Sequence, residues 1–147
     1  VLRTDPIIPT ELGLDRTTNV LIAFKNTGIK RVRYSFLDMY AHVKQRFIDN
    51  NLNLPYETFC APQCLINNCI EMMKKFEDIY SFESCAEYTK HQTGCISQRD
   101  FDVLGIKELA EPAGFQRKGC MCIAGKTELL NNCKKCPHGC LYCYWKD

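Results

Sequence analysis

A chain of 147 residues that is 46% hydrophobic and 24% charged has the composition of a globular domain, most simply one. Its formal net charge of +2 is too balanced to argue for nucleic acid or an anionic membrane as a partner. No apolar run approaches the ~20 residues a membrane-spanning helix needs, and no basic start leading into an apolar core marks a secretory signal. The chain begins with Val1 rather than Met, so a processed or missing N-terminal portion is expected.

Taken in chain order, "VLRTDPII" (1–8) is a short strand candidate, stopped by Pro6 and Pro9. "TTNVLIAFKNTG" (17–28) predicts a helix with Val20, Leu21 and Phe24 on one side and Gly28 as its stop. "KRVRYSFLDMY" (30–40) alternates at Val32, Tyr34 and Phe36 and then turns continuously apolar, which suits a buried strand. "YAHVKQRFIDNN" (40–51) predicts the next helix, and "LNLPYETFCA" (52–61) a connecting loop. Pro62 stands where a first helical turn tolerates it, and Leu65, Cys69, Met72, Met73, Phe76 and Ile79 follow at helical spacing to Tyr80. "SFESCAE" (81–87) is a third strand candidate. "SQRDFDVLG" (97–105) is a short helix, with Ser97 and Asp100 spaced to cap its start and Gly105 to stop it.

Strands alternating with helices predict an α/β fold with a parallel sheet. From about Pro112 the periodicity disappears and Gly, Lys, Asn and Cys dominate. The chain therefore divides into an α/β region, 1–112, and a cysteine-rich tail, 113–147, that needs something other than an apolar core to hold it. Bound metal is the expected hold.

Eleven cysteines are the extreme feature, and six of them (Cys120, Cys122, Cys133, Cys136, Cys140 and Cys143) fall in the last 28 residues. An odd total, the close pair Cys120 and Cys122, and no visible signal all weigh against a disulfide framework. Thiolates converging on a metal or an iron–sulfur cluster fit better, and such groups imply a reducing, cytoplasmic setting. Cys136, Cys140 and Cys143 follow the Cys-x-x-x-Cys-x-x-Cys spacing of radical S-adenosylmethionine enzymes, with Tyr142 the aromatic residue before the last cysteine. Three thiolates hold three irons of a 4Fe-4S cluster, and the amino and carboxylate groups of S-adenosylmethionine chelate the fourth. Pro137 and Gly139 suit a tight loop around such a cluster. The alternative is zinc, or a closed cluster, with Cys133 as fourth ligand.

The ending "CPHGCLYCY" (136–144) resembles that of a bacterial and archaeal family of unknown function with a radical-S-adenosylmethionine-like cysteine cluster at its C-terminus. "DPI" at 5–7, "SFLDMY" at 35–40, "CAE" at 85–87, "GCI" at 94–96 and "GCMC" at 119–122 resemble its other blocks, in order. The resemblance implies the C-terminal half of a longer protein, a partial (βα) barrel-like parallel sheet followed by the tail. Cys133 and the long stretch "IAGKTELLNNCKK" depart from the family pattern, as do Cys60, Cys64 and Cys69. In that setting Cys136, Cys140 and Cys143 are the expected cluster ligands. A flavodoxin- or ferredoxin-like one-electron donor is the expected partner, with an unknown substrate.

Cys85, Cys95, Cys120 and Cys122 match family blocks and are not used by the terminal motif. Four thiolates make a complete set for a second cluster or a zinc, unless Cys85 is simply a small buried hydrophobe. Cys64 and Cys69 lie in a helical pattern and are expected to pack, with Cys60 at the solvent edge. Arg3, Asp5, Asp38 and Glu87 fall near the C-terminal ends of predicted strands, where barrels and open sheets build their sites. Each is a candidate contact for the methionine, the ribose or the substrate, or an ordinary salt-bridge partner. Tyr144 and Trp145 are expected to cover a terminal cluster, and His138 to lie partly exposed in its loop. A cysteine loop at the end of a closed barrel would neighbour the first strand, where these enzymes usually carry theirs. Together these features favour a radical S-adenosylmethionine-like iron–sulfur protein over a non-catalytic metal-binding or electron-transfer module.

Overall fold

Alternation within the strands gives the sheet one apolar face and one ionic face. The computed structural model describes residues 1–85, 89–108, 121–124 and 138–144. Strands β1 (Leu2–Arg3), β2 (Arg31–Tyr34) and β3 (Ser81–Ser84) pair in parallel in the order β1-β2-β3. Leu2 lies opposite Val32 and Val32 opposite Phe82, while Arg3, Arg33 and Glu83 form the next row. Successive side chains point to opposite faces. Val32, Tyr34 and Phe82 thus enter the core, and the Arg3–Arg33–Glu83 row takes the other side.

Helix α1 (Glu11–Phe24) joins β1 to β2, and α2 (Ala41–Asp49) and α3 (Gln63–Lys74) join β2 to β3. Parallel crossovers are right-handed, and the strand order never reverses, so both connections cover the same, apolar face. Leu21, Val43, Phe47, Cys69 and Met73 fill the space beneath them. The Tyr80 hydroxyl donates to the Leu21 carbonyl at 2.7 Å and ties α1 to the entry of β3. The result is a mixed α/β fold with a small parallel sheet, compatible with a segment of a (βα) barrel. No helix among the described residues is long and apolar enough to cross a membrane.

Several boundaries differ from the sequence expectations. Helix α1 starts at Glu11, not Thr17, because Thr10 is its N-cap and accepts the Gly13 N–H at 3.2 Å. Its buried residues are Thr17 and Leu21; Val20 and Phe24, expected beside Leu21, are 37% and 38% exposed. Strand β2 ends at Tyr34, short of the expected 40, and its line continues only as an isolated bridge between Ile7 and Phe36. Pro62 is the N-cap of α3 rather than part of its first turn. That helix buries Cys69 and Met73 and stops at Lys74, leaving Phe76 and Ile79 in the turns that follow. Helix α4 (Gln98–Leu104) carries the expected capping box of Ser97 and Asp100, with Gly105 as its C-cap. The expected boundary near 112 lies outside the described residues.

Candidate functional site

The ionic face is built first by charge pairing. Glu83 has no exposed side-chain surface, and a carboxylate there is tolerated only with partners. Arg31 and Arg33, two apart on β2, both reach it: Arg31 Nη2 donates at 3.0 Å and Arg33 Nε at 3.1 Å. Arg99 Nη1 approaches from α4 at 3.1 Å. Asp100, also on α4, takes Arg31 Nη2 at 2.8 Å and Arg33 Nη2 at 3.0 Å, so α4 lies across this face. Burial pushes both carboxyls upward, but hydrogen bonds from the arginines outweigh it, and Glu83 and Asp100 end below the usual carboxylate range. Arg33 also donates to the Cys95 carbonyl, which carries the network into the next loop.

Cys85 follows β3 directly, with its N–H on the Tyr34 carbonyl at 3.0 Å. Its thiol shares a hydrogen bond with Cys95, which together with burial lifts it above the usual thiol range. The Cys95 N–H donates to Cys122 Sγ at 3.1 Å. Cys85 and Cys122 are each 1% exposed. Thr93 and Gly94 both donate to the Ser84 carbonyl, at 2.9 and 3.1 Å, and Ile123 donates to Ile96 at 3.1 Å. Segment 93–96 is thereby held between the end of β3 and segment 121–123.

Gly94 makes that approach possible. It sits at φ +90°, and a Cβ on it would lie 2.5 Å from the Met121 carbonyl oxygen and 2.9 Å from the Cys122 nitrogen. Gly94→Ala is expected to destabilise the fold by about 2 kcal/mol or more, the cost of a left-handed non-glycine residue plus a backbone clash. Chemical denaturation reads that loss; a midpoint shift no larger than that of Gly28→Ala, where a Cβ meets nothing, would remove the close approach as its cause.

Arg3 and Asp5 stand beside these thiols. Arg3 grips Asp5 through Nε at 3.0 Å and Nη2 at 2.6 Å, and the hydrogen bond to Asp5 raises the guanidinium above its ordinary value. The charges of both residues reach Cys85. Of the residues expected at strand ends, then, Arg3 and Asp5 join Cys85, Cys95 and Cys122 in one neighbourhood. Asp38 follows β2 between buried Leu37 and Met39, and its carbonyl accepts the Tyr40 N–H at 3.0 Å. Glu87 and Cys120 lie outside the described residues. Among those described, no three Cys, His, Asp or Glu side chains surround a single point as metal ligands do.

The terminal loop docks elsewhere in its described contacts. The Cys143 N–H donates to the Cys140 carbonyl at 3.0 Å, closing a tight turn just after Gly139, which takes φ +60°. Arg46 of α2 donates to the Cys143 carbonyl at 2.6 Å, and Leu141 packs on the apolar core. Cys140 and Cys143 are half-buried. A hydrogen bond between the Tyr142 hydroxyl and Cys140 raises the phenol above its usual range. Tyr144, expected as a cover for a terminal cluster, is 61% exposed. Cys133, Cys136 and Trp145 lie outside the described residues, and His138 is exposed.

Elsewhere, Cys69 is buried and pushed up to about 12 by desolvation, and Cys60 is exposed. Cys64, expected to pack, is also exposed, because the buried face of α3 passes through Cys69 and Met73. The ionic face was not among the expectations, although Arg31 and Arg33 alternate with Val32 and Tyr34. His91 is tied to the same sheet: its Nδ1 meets the Tyr34 hydroxyl at 3.0 Å and its Nε2 lies 3.4 Å from Glu77.

Burial, and then Lys90, hold His91 below the usual imidazole value despite Glu77. A depressed pKa means the folded state binds fewer protons, so stability is lost on acidification. The first loss begins as pH falls below 6.5, the unperturbed imidazole value. A second begins below 4.5, where the unfolded form of Glu83 takes up a proton that the folded form resists. Urea midpoints followed from neutral to acid pH are expected to show both stages, and His91→Asn to remove the first alone.

The profile of one protein family, a domain of unknown function (DUF1848), matches residues 1–145. Comparison with curated proteins and with solved structures returns no match.

Proposed function

The chain belongs to the DUF1848 family, and because that description carries no activity we propose one from the residues: a radical S-adenosylmethionine-like iron–sulfur protein. The observation that carries this reading is the run Cys136-x-x-x-Cys140-x-x-Cys143 with Tyr142 inside it. The donors fit a cluster loop. Cys140 and Cys143 are half-buried and joined by a tight turn, which is how a loop wraps several thiolates round one group. Reduced by one electron, a cluster there would supply cleavage of S-adenosylmethionine to a 5′-deoxyadenosyl radical. The chain's own residues do the rest. Arg46 fixes the loop through the Cys143 carbonyl, and the Tyr142 hydroxyl, at the Cys140 sulfur, tempers its charge. Arg3, Asp5 and Asp38, at the strand ends, are the groups proposed to orient the methionine, the ribose or the substrate.

The reading entails a reducing, cytoplasmic setting and a flavodoxin- or ferredoxin-like donor. Its rival has Cys133 join the other three around zinc or a closed cluster, with no chemistry. Reconstitution without oxygen, followed by iron, sulfide and zinc analysis and reduction with S-adenosylmethionine, separates them. Iron with 5′-deoxyadenosine formed, unaffected by Cys133→Ala, is the expected result. Zinc, or iron that cleaves nothing until Cys133 is removed, overturns it.

A further inference from the structure

Three thiols unused by the terminal loop come from three separate segments into one neighbourhood. Cys85 follows β3, Cys95 follows the Gly94 turn, and Cys122 sits on the segment pressed against that turn. The Cys85 and Cys95 thiols are in contact, and Cys122 Sγ accepts the Cys95 N–H at 3.1 Å. An amide N–H on sulfur is the bond that supports a thiolate bound to a metal. Packing alone would explain one buried cysteine, as it does Cys69 amid the apolar core. It does not explain a thiol–thiol hydrogen bond and an amide–sulfur bond that link three cysteines from separate segments, with the Arg3 and Asp5 charges reaching Cys85.

We propose that Cys85, Cys95 and Cys122 form a second metal site, separate from the terminal loop, that takes a tetrahedral thiophilic divalent ion, zinc(II). Three thiolates and one water complete the tetrahedron. Binding exchanges three thiol protons for one ion, so affinity rises with pH. Closing the sphere needs a step of the Cys122 or Cys95 side chain to a neighbouring staggered well, since Cys122 Sγ now meets the Cys95 amide. The framework for that closure is already rigid: Arg33 holds the Cys95 carbonyl, and Ile123 is bonded to Ile96. The metal would pin segment 121–123 to the sheet.

The test uses the full chain carrying Cys136→Ser, Cys140→Ser and Cys143→Ser, which deletes the terminal site, so its outcome is independent of the function proposed above. The protein is reduced, stripped with chelator, and titrated with zinc against a chromophoric competitor, and with cobalt(II) as a spectroscopic stand-in. One ion per chain is expected, with the cobalt spectrum of a tetrahedral three-thiolate site. Adding Cys95→Ser is expected to weaken zinc binding by about a hundredfold or more, since even loss of an outer partner costs up to that. Cys69→Ser should leave both readings unchanged. The cobalt spectrum needs no change in the trio, so it decides the matter even if Cys95→Ser fails to fold. Absence of thiolate-to-cobalt bands, binding indifferent to Cys95→Ser, an iron–sulfur cluster on these thiols, or a Cys85–Cys95 disulfide in the reduced-buffer preparation would each overturn the site.

Discussion

Glu83→Ala is expected to destabilise this protein by about 3–5 kcal/mol, the cost of breaking a buried ion pair from one side. Glu83 is fully buried and meets three guanidinium groups, from Arg31, Arg33 and Arg99. Arg33 and Arg31 keep only 6% and 12% of their side-chain surface exposed. With the carboxylate gone they would share Asp100 alone, and at least one buried positive charge would lack a counter-ion. Urea unfolding measures the loss, with Glu71→Ala as comparison. Glu71 pairs with Lys74 on the surface at 2.6 Å, and such pairs contribute under about 1 kcal/mol. Equal midpoint shifts for the two variants would mean that the ionic face is solvated in solution. Because Arg33 also holds the Cys95 carbonyl, Glu83→Ala should loosen the loop that carries Cys95 as well.

That network explains why part of the fold was legible and part was not. Val32 and Tyr34 announce a buried strand because an apolar alternation has one common meaning. Arg31 and Arg33, read by the same rule, announce a solvent face. They become interior only through Glu83, some fifty positions away, and Asp100, on a helix whose docking no local signal encodes. Helix α1 was missed at its start for the opposite reason. Pro9 was expected only to stop the first strand, yet it directly precedes the Thr10 cap, and Gly13 in the first turn is needed because a Cβ would collide with the Ile8 carbonyl. The α4 cap was legible because its signal is complete within four residues, Ser97 to Asp100.

The cysteines divide along the same line. Spacing alone picks out the terminal run, whose cysteines lie close together in sequence. The neighbourhood of Cys85, Cys95 and Cys122 depends on β3, on the Gly94 turn and on the approach of segment 121–123, so spacing carries no hint of which sulfur meets which. The ionic face and the thiol neighbourhood also share a cause. Arg33 belongs to both, and a sheet face that carries charge in place of apolar side chains leaves room for polar loops to settle on it.

Cys143→Ala is expected to abolish reductive formation of 5′-deoxyadenosine and to lower cluster iron, while leaving the fold nearly intact. The separation follows from how the loop is held. Arg46 contacts the Cys143 carbonyl, a backbone group that the substitution keeps, and Leu141 still packs on the core. The lost sulfur is half-buried, so the stability change should stay within about 1 kcal/mol, as for substitutions outside the tightly packed interior. Arg46→Ala makes the complementary change, sparing every thiol but freeing the loop. It should reduce iron retention and deoxyadenosine formation without eliminating either. Iron analysis, anaerobic turnover and urea unfolding on the three proteins give the comparison. If Cys143→Ala retains its iron and its cleavage, the terminal run is not the catalytic site. If it loses zinc rather than iron, with no cleavage in the parent, the thiolates close a structural centre instead.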